Sequence, residues 1–482
     1  MGQTASQLGE HASLVILPLF AVLTLHASAG QLGVLRAVGQ APILLLALFV
    51  GAWVDRWRTR TTMVLTDIGR ALALGAAALA GLFGWLGMPG LLALAFVVGA
   101  LSVFFDVAYQ ASLVRLVERD QLVRGNSALE GSRSAAQIGG PALGGALVSL
   151  LSAPVAAASS ALFFALSFLS IRRIRRTETM PERPEHPPRV WQRIHEGLRF
   201  VAGDTALRTV CLASAAFQFS FAAMMTVYLL FLPRELHLSG TVVGLALAAA
   251  GPGALLGSLL AARLPSRFGH GTVLVCGAVL GDGVFLCVPA LQDSSAVTVP
   301  ALLAAGFVFG CGGQLVNVTV MAVRQAVTPD GMQGRAAATI TFVGMGLTPL
   351  GSLVGGFLAE EWGLRTSLLV TAAGMMLSPV IMALSPLARL GRELPAPHAA
   401  PPTVTHPRHR GAAAARAEPA ERLARSAPHA TGRSRPASWH FRPRLLSRST
   451  KSPDGHQAVT HRRKPELLEK DHNQEAGPVD GP

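Results

Sequence analysis

The chain has 482 residues, 51% of them hydrophobic and only 14% charged, with a mean hydropathy of +0.44. Soluble domains carry about 25% charged residues, so a single water-soluble globule is excluded. The net charge of +14 is not gathered into a basic face within the apolar part, which argues against a nucleic-acid partner. All three lysines lie beyond residue 450 and none follows a glycine. A phosphate-binding P-loop needs Gly-Lys, so the chain carries no such ATPase motif; no enzyme, metal or cofactor is expected.

A membrane-crossing helix needs about 20 mainly apolar residues. Twelve such runs precede residue 390, near 3–26, 32–54, 62–86, 90–113, 128–151, 154–171, 209–232, 240–262, 272–291, 297–322, 336–359 and 366–386. Met1 is followed at once by the first run, without the usual short lead, which points to a start upstream. The fold class expected is an all-α membrane protein of twelve spans, divided six and six. Residues 1–171 form the first bundle, 172–208 a linker, 209–390 the second bundle, and 391–482 a tail.

Orientation follows from arginine placement. The links after spans 2, 4, 6, 8 and 10 and the stretch after span 12 hold 21 arginines, while the links after odd spans hold two, Arg234 and Arg365. Basic loops stay cytoplasmic, so both termini and the linker are expected inside. Within the linker, Val190, Trp191, Ile194, Leu198 and Val201 share one helical face, as in a helix lying on the inner leaflet. The tail is rich in Pro, Ala, His and Arg without apolar periodicity and reads as disordered. It either lies near anionic lipid or has no role. The four cysteines fall inside apolar runs without ligand spacing and read as small core hydrophobes.

The halves repeat each other. Gly51 matches Gly257, Asp120 matches Asp330 and Pro141 matches Pro349, at nearly one offset. Six spans is an even number, so both halves insert the same way up. A parallel repeat of this kind puts a substrate site at the midplane between the halves.

Charges inside a bilayer are costly and usually face a cavity. The candidates are Glu10, Asp67, Arg70, Asp106, Glu130, Arg133 and Asp282. Asp67 and Arg70 are three apart and share a face, as do Glu130 and Arg133. Counting about 1.5 Å per residue, Asp67 and Asp106 lie at similar depths. Asp67, Arg70 and Asp106 form either a charge relay or a neutralised structural cluster.

Three segments resemble the major facilitator superfamily, specifically its drug:proton antiporters and the enterobactin- and macrolide-exporter branch. "GAWVDRWRTR" is similar to that superfamily's motif A, with Gly51, Asp55, Arg56 and Arg60 fitting and Thr59 standing where an arginine is usual. "GPALGG", with Gly140, Pro141, Gly144 and Gly145, is similar to the antiporter signature of span 5. The run from Phe104 to Gly145 looks like the exporter branch throughout. The resemblance covers residues 1–390.

It implies a fold of two six-helix bundles rocking about a central cavity and, as function, secondary active efflux of a drug-like, macrolide-like or siderophore-type molecule. Protons are the implied coupling ion, and the implied setting is a bacterial inner membrane and a monomer. Glu10, on a cavity-lining span, looks like the first-span acids of multidrug antiporters; with Asp106 and Asp67 it is expected to carry protons. Gln218 occupies the position of Glu10 in the second half and, with Glu130 and Arg133, is expected at the cavity. Asp55 faces the start of span 11, where a helix N-terminus stabilises a carboxylate by about 0.3–1 kcal/mol. It acts as an inner gate, together with Gly51, Arg56, Arg60 and Arg70, or as a loop-fixing ion pair. The glycines around Pro141 allow close packing, expected against Gly253 and Gly257 of span 8, and Pro141 is expected to kink its helix. Two other readings stay open: a proton-coupled importer of a small metabolite, and a non-transporting scaffold acting through the tail.

Overall fold

The computed structural model describes residues 2–54, 57–116, 122–173, 190–292, 295, 297–329 and 332–393. Every regular element among them is helical, as a lipid-embedded backbone requires, because only a helix or a closed barrel satisfies its own N–H and C=O groups. The first six spans are α1 (Gly2–Leu23), α2 (Ala29–Val54), α3 (Thr59–Leu82), α4 (Met88–Leu116), α5 (Leu122–Leu151) and α6 (Ala153–Arg172). Next comes α7 (Val190–Gly203), and then α8 (Thr205–Arg234) as the seventh span. The eighth is split into α9 (Gly240–Ala248) and α10 (Ala250–Ala261). After the short α11 (Leu264–Phe268), the ninth pairs α12 (His270–Gly283) with a 3₁₀ segment (Val284–Ala290). The tenth is α13 (Thr298–Val327), the eleventh α14 (Gln333–Gly346) with α15 (Thr348–Trp362), and the twelfth α16 (Leu364–Met375) with α17 (Leu377–Ala383). Twelve helical stretches are thus long and apolar enough to cross a membrane.

The breaks follow proline. Pro252, Pro289, Pro349 and Pro379 each stand at or just past an interruption, where a residue without an N–H and with a fixed φ ends regular pairing. Pro141 behaves otherwise: α5 continues through it as one helix. Segmentation falls in spans 8, 9, 11 and 12.

The internal repeat is visible in the backbone. Leu25-His26-Ala27-Ser28 and Leu236-His237-Leu238-Ser239 follow the same path after spans 1 and 7. His26 and His237 have φ of 50° and 51°. Leu25 and Leu236 donate their N–H to Phe20 and Phe231, and Ala27 and Leu238 to Ala21 and Leu232. Ser28 and Ser239 then cap the next helices through the amides of Gln31 and Val242.

At this same end the halves are sealed together. A side chain at Gly145 would collide with the Gly240 carbonyl and with Gly244 of α9, and one at Gly33 would meet the Ser352 carbonyl at 2.8 Å and Gly356 at 3.0 Å on α15. Arg234 donates to the Ala27 carbonyl at 2.5 Å, and the Thr241 amide donates to Ser149 at 2.6 Å. Towards the opposite end, Gly131 of α5 and Gly334 of α14 have open space where a side chain would go.

Three expectations are corrected. Gly253 and Gly257 do not receive α5; a side chain at either would strike the backbone of α13, at Phe307 and Cys311. Gly140 and Gly144 instead pack on His11 and Ala12 of α1, and Gly145 is the one that meets span 8. The reason is register: of the span-8 glycines, Gly240, Gly244 and Gly251 turn towards α5, the last against Ile138, while Gly253 and Gly257 turn towards α13. Second, α7 docks on α14. Its Gly197 leaves room for Arg335 and Thr339, Glu196 pairs with Arg335 at 2.6 Å, and Val201 is buried among Leu207, Val210, Ala336 and Ile340. Leu198 points outwards; the side chains of Val190, Trp191 and Ile194 lie outside the described set. Third, only Cys211 is buried, whereas Cys276 and Cys287 are exposed on the outer face of span 9. The tail beyond residue 393 also lies outside the described residues.

Candidate functional site

The polar centre of the first six helices is built round Arg70 of α3. Its side chain is fully buried, and its guanidinium lies between the rings of Phe105 on α4 and Phe164 on α6, at 4.4 and 4.3 Å. Stacking a delocalised cation on two aromatic faces compensates part of its lost hydration. Arg70 Nη2 pairs with Asp67 Oδ1 at 2.6 Å and donates to Ser6 Oγ at 2.9 Å. Its Nη1 donates to Ser102 Oγ at 3.1 Å and reaches Glu10 Oε2 at 3.5 Å. Asp67 also accepts from Ser6 at 3.1 Å and from Ser167 of α6 at 2.5 Å. Four helices therefore meet in one buried network, and the pair at its heart is desolvated yet hydrogen-bonded on both sides, the condition under which buried charge is tolerated.

Glu10 and Asp106 lie at the margin of this network. The Glu10 side chain keeps 21% of its exposure, against none for Asp67 and Arg70. Asp106 accepts from Gln7 Nε2 at 3.4 Å and has no direct bond to Arg70 or Asp67 among the described residues. Of the expected group of Asp67, Arg70 and Asp106, the structure pairs Asp67 with Arg70 and adds Glu10, while Asp106 bonds to Gln7 instead. Two carboxyl groups, those of Asp67 and Glu10, share one guanidinium, so the cluster holds more acid than base.

The other expected residues separate from this centre. Arg60 donates to the Arg172 carbonyl at 2.5 Å and ties the start of α3 to the end of α6. Asp55 and Arg56 lie outside the described residues, and Gly51 and Glu130 are placed on α2 and α5 by backbone alone. Arg133 is exposed on α5. Gln218 is half-buried on α8, beside Gly344 of α14. Asp282 is buried on α12. A groove of about 680 Å³ along α3 and α4 is lined by Trp57, Arg58, Thr62, Leu65, Leu101 and Phe104, none of them a member of the Arg70 network.

Sequence reasoning passed over Ser6, Gln7, Ser102, Ser167, Phe105 and Phe164. A signal existed: Ser6 and Glu10 are four apart on span 1, as are Ser102 and Asp106 on span 4, so each pair marks one polar face in an otherwise apolar helix. Arg36 of α2, a charge inside span 2, was not among the expected site residues. Its Nε is buried without a hydrogen-bond partner.

Twelve membrane-crossing helices, a repeated six-span trace, a seam between the halves and a buried charge network define a membrane transporter of the major facilitator fold. Residues 3–411 match the transmembrane secretion effector family of that superfamily, and the chain belongs to it. Among its relatives is the multidrug efflux pump Tap of Mycobacterium tuberculosis, 29% identical over 390 residues, covering 76% of this chain and 87% of the relative. The Tap protein of Mycolicibacterium fortuitum is 27% identical over 390 residues, with 79% and 93% covered. An uncharacterized transporter of the superfamily from Bacillus subtilis, YfiS, is 26% identical over 381 residues, with 76% and 87% covered. Among solved structures, the nucleoside transporter NupG superposes with a TM-score of 0.64 at 14% identity, over 79% of this chain and 98% of that one. A bacterial homologue of the iron transporter ferroportin gives 0.61 at 17% identity, over 79% and 96%. These likenesses establish the fold, and the chain is a multi-pass membrane transporter.

Proposed function

We propose that the protein exports a drug-like, macrolide-like or siderophore-type small molecule in exchange for protons. It does so by alternating access between bundles 1–171 and 209–390, as a monomer in a bacterial inner membrane with both termini cytoplasmic. The observation that carries this reading is the charge network of α1, α3 and α4. A coupling site needs a carboxyl group that exists in either charge state without wrecking its surroundings. Glu10 fits: it is partly open and 3.5 Å from Arg70. Asp106, held by Gln7, is the second proton carrier, and the fully buried Asp67 sets the position of Arg70. The family and the similarity to the multidrug pump Tap support efflux as the direction.

In this reading the sealed end, with its 1–2 and 7–8 loops, faces outwards, as the arginine asymmetry requires. The structure then corresponds to a state that loads from the cytoplasm. Gly145 on Gly240 and Gly244 forms the outer seal. Asp55 against the first turn of α14 forms the inner gate of the opposite state, with Arg60 fixing the base of α3. In everted vesicles with an imposed proton gradient, the wild type should accumulate a substrate dye, and Glu10→Gln with Asp106→Asn should abolish gradient-driven uptake. Unchanged uptake in that double variant sinks the coupling assignment.

A further inference from the structure

Arg36 is not used by the network around Arg70, yet it sits well inside a bilayer-crossing helix. It lies seven residues beyond Ala29, the first residue of α2, which at ~1.5 Å per residue is about 10 Å of depth. None of the ion pairs among the described residues includes it, and its Nε is buried without a partner. A cation at such depth persists only where it is paired or faces a polar cavity.

The faces of α2 show which way it turns. With about 3.6 residues per turn, Val34, Leu45 and Phe49 fall on one side, and all three are exposed; this side faces lipid. Leu32, Leu35 and Gly39 form the face packed into the first bundle, where Gly39 approaches Ala95 of α4. Gly33, Gln40 and Leu44 form the seam with the second half: Gly33 meets Ser352 and Gly356, Gln40 accepts from Ser352 Oγ at 3.4 Å, and Leu44 reaches Gly346. Arg36 falls between the packed face and the seam, opposite the lipid side. Ile43 shares its direction and is 37% exposed, although it does not face lipid. That direction is the space between the two halves.

We propose that Arg36 is the anion-recognition residue of the transport site, and that the substrate is an amphipathic molecule bearing a carboxylate or similar anionic oxygen group. A planar guanidinium offers a fork of donors that matches such a group bidentately, and Gln40, one turn further along α2, adds an amide beside it. Arg70 is fully buried and both of its terminal nitrogens are already taken up by Asp67, Ser6, Ser102 and Glu10, so it presents no free fork to a substrate. The two functions are therefore carried by different helices: the acids of α1 and α4 hold protons, and α2 holds the substrate's charge. This deepens the exporter reading and rests on it.

The test uses pyrenebutyrate and its methyl ester, which differ only in the charge. Binding to the purified full chain in detergent is read by fluorescence anisotropy, and transport by uptake into vesicles under a proton gradient. The wild type should bind the acid more tightly than the ester. Losing a hydrogen-bonded charge partner is worth about 10- to 100-fold, so Arg36→Gln should weaken the acid by that factor and leave the ester within about twofold. Arg36→Lys should recover part of the loss, because an ammonium keeps charge without the fork. Unchanged ester binding certifies that the variants are folded. A wild type that does not favour the acid, or a variant that loses both probes equally or neither, overturns the proposal. The two readings fail separately. Gradient-driven movement of the ester without any dependence on Arg36 leaves the exporter standing and removes the anion site. Arg36-dependent acid binding without gradient-driven movement of either probe does the reverse.

Discussion

Replacing Arg70 by Met tests whether the buried network behaves as one unit. The substitution removes the 2.6 Å pair with Asp67, the 3.5 Å contact with Glu10 and the donors to Ser6 and Ser102. It keeps most of the volume, and a thioether packs well between Phe105 and Phe164, so cavity formation contributes little. What remains is a buried Asp67 accepting from two hydroxyl groups in place of a cation. Removing one partner of a buried pair costs about 3–5 kcal/mol, chiefly because the other charge is left uncompensated. Asp67→Asn alone should cost less, since Glu10 still faces Arg70 and the amide can accept from Ser167. The double variant Asp67→Asn with Arg70→Met leaves no orphaned charge at that pair and should be clearly more stable than Arg70→Met. The measurement is the midpoint of thermal unfolding of the purified protein, followed by tryptophan fluorescence and by surviving monodisperse protein after heating. Additive losses in the double variant, or an Arg70→Met protein as stable as the wild type, would refute the reasoning.

Three further outcomes are expected. Gly145→Val should prevent closure of the outer seam, since a side chain there strikes Gly240 and Gly244 and overpacking costs about 1–3 kcal/mol; a cysteine introduced at Thr241 should become more reactive towards a membrane-impermeant maleimide in that background. Ser152→Gly should raise the thermal midpoint. Ser152 holds φ 87° and ψ 156°, a region nearly reserved for glycine and costing about 1–3 kcal/mol otherwise, and Gly363 adopts φ 76° and ψ 164° at the equivalent point of the second half. Glu196→Gln should change stability by less than about 1 kcal/mol, because its pair with Arg335 is solvent-exposed on both sides, whereas Gly197→Val should expose α7 to protease by forcing it off Thr339 and Arg335.

The arginine ladder along the loops, the twelve apolar runs and the paired offsets of Gly51, Pro141 and their partners are properties of the chain written in one dimension. They were legible because lipid imposes one rule on every span: about 20 apolar residues, with backbone groups satisfied locally. The pairing of Asp67 with Arg70 was legible for the same reason, as spacing on a single helix dictates it. The run "GPALGG" also announced close packing, but not its partners. A glycine permits approach by any helix, and only the rotation and register of neighbouring helices assign Gly140 and Gly144 to α1 and Gly145 to α9.

The same limit applies to the charges. Nothing in the order of residues distinguishes Glu10, which reaches Arg70 across two helices, from Arg133, which stays apart from the network. Ser6, Ser102 and Ser167 matter only because three separate helices deliver their hydroxyl groups to one guanidinium and one carboxylate. Arg36 was visible as a charge in span 2, but its direction had to be read from which of its neighbours face lipid, the bundle core and the seam. Local sequence determined that twelve helices cross the membrane and how their polar residues are spaced; the packing of those helices decided which polar groups share a dielectric environment, because contact between spans is set by rotation and depth, neither of which is encoded along a single helix.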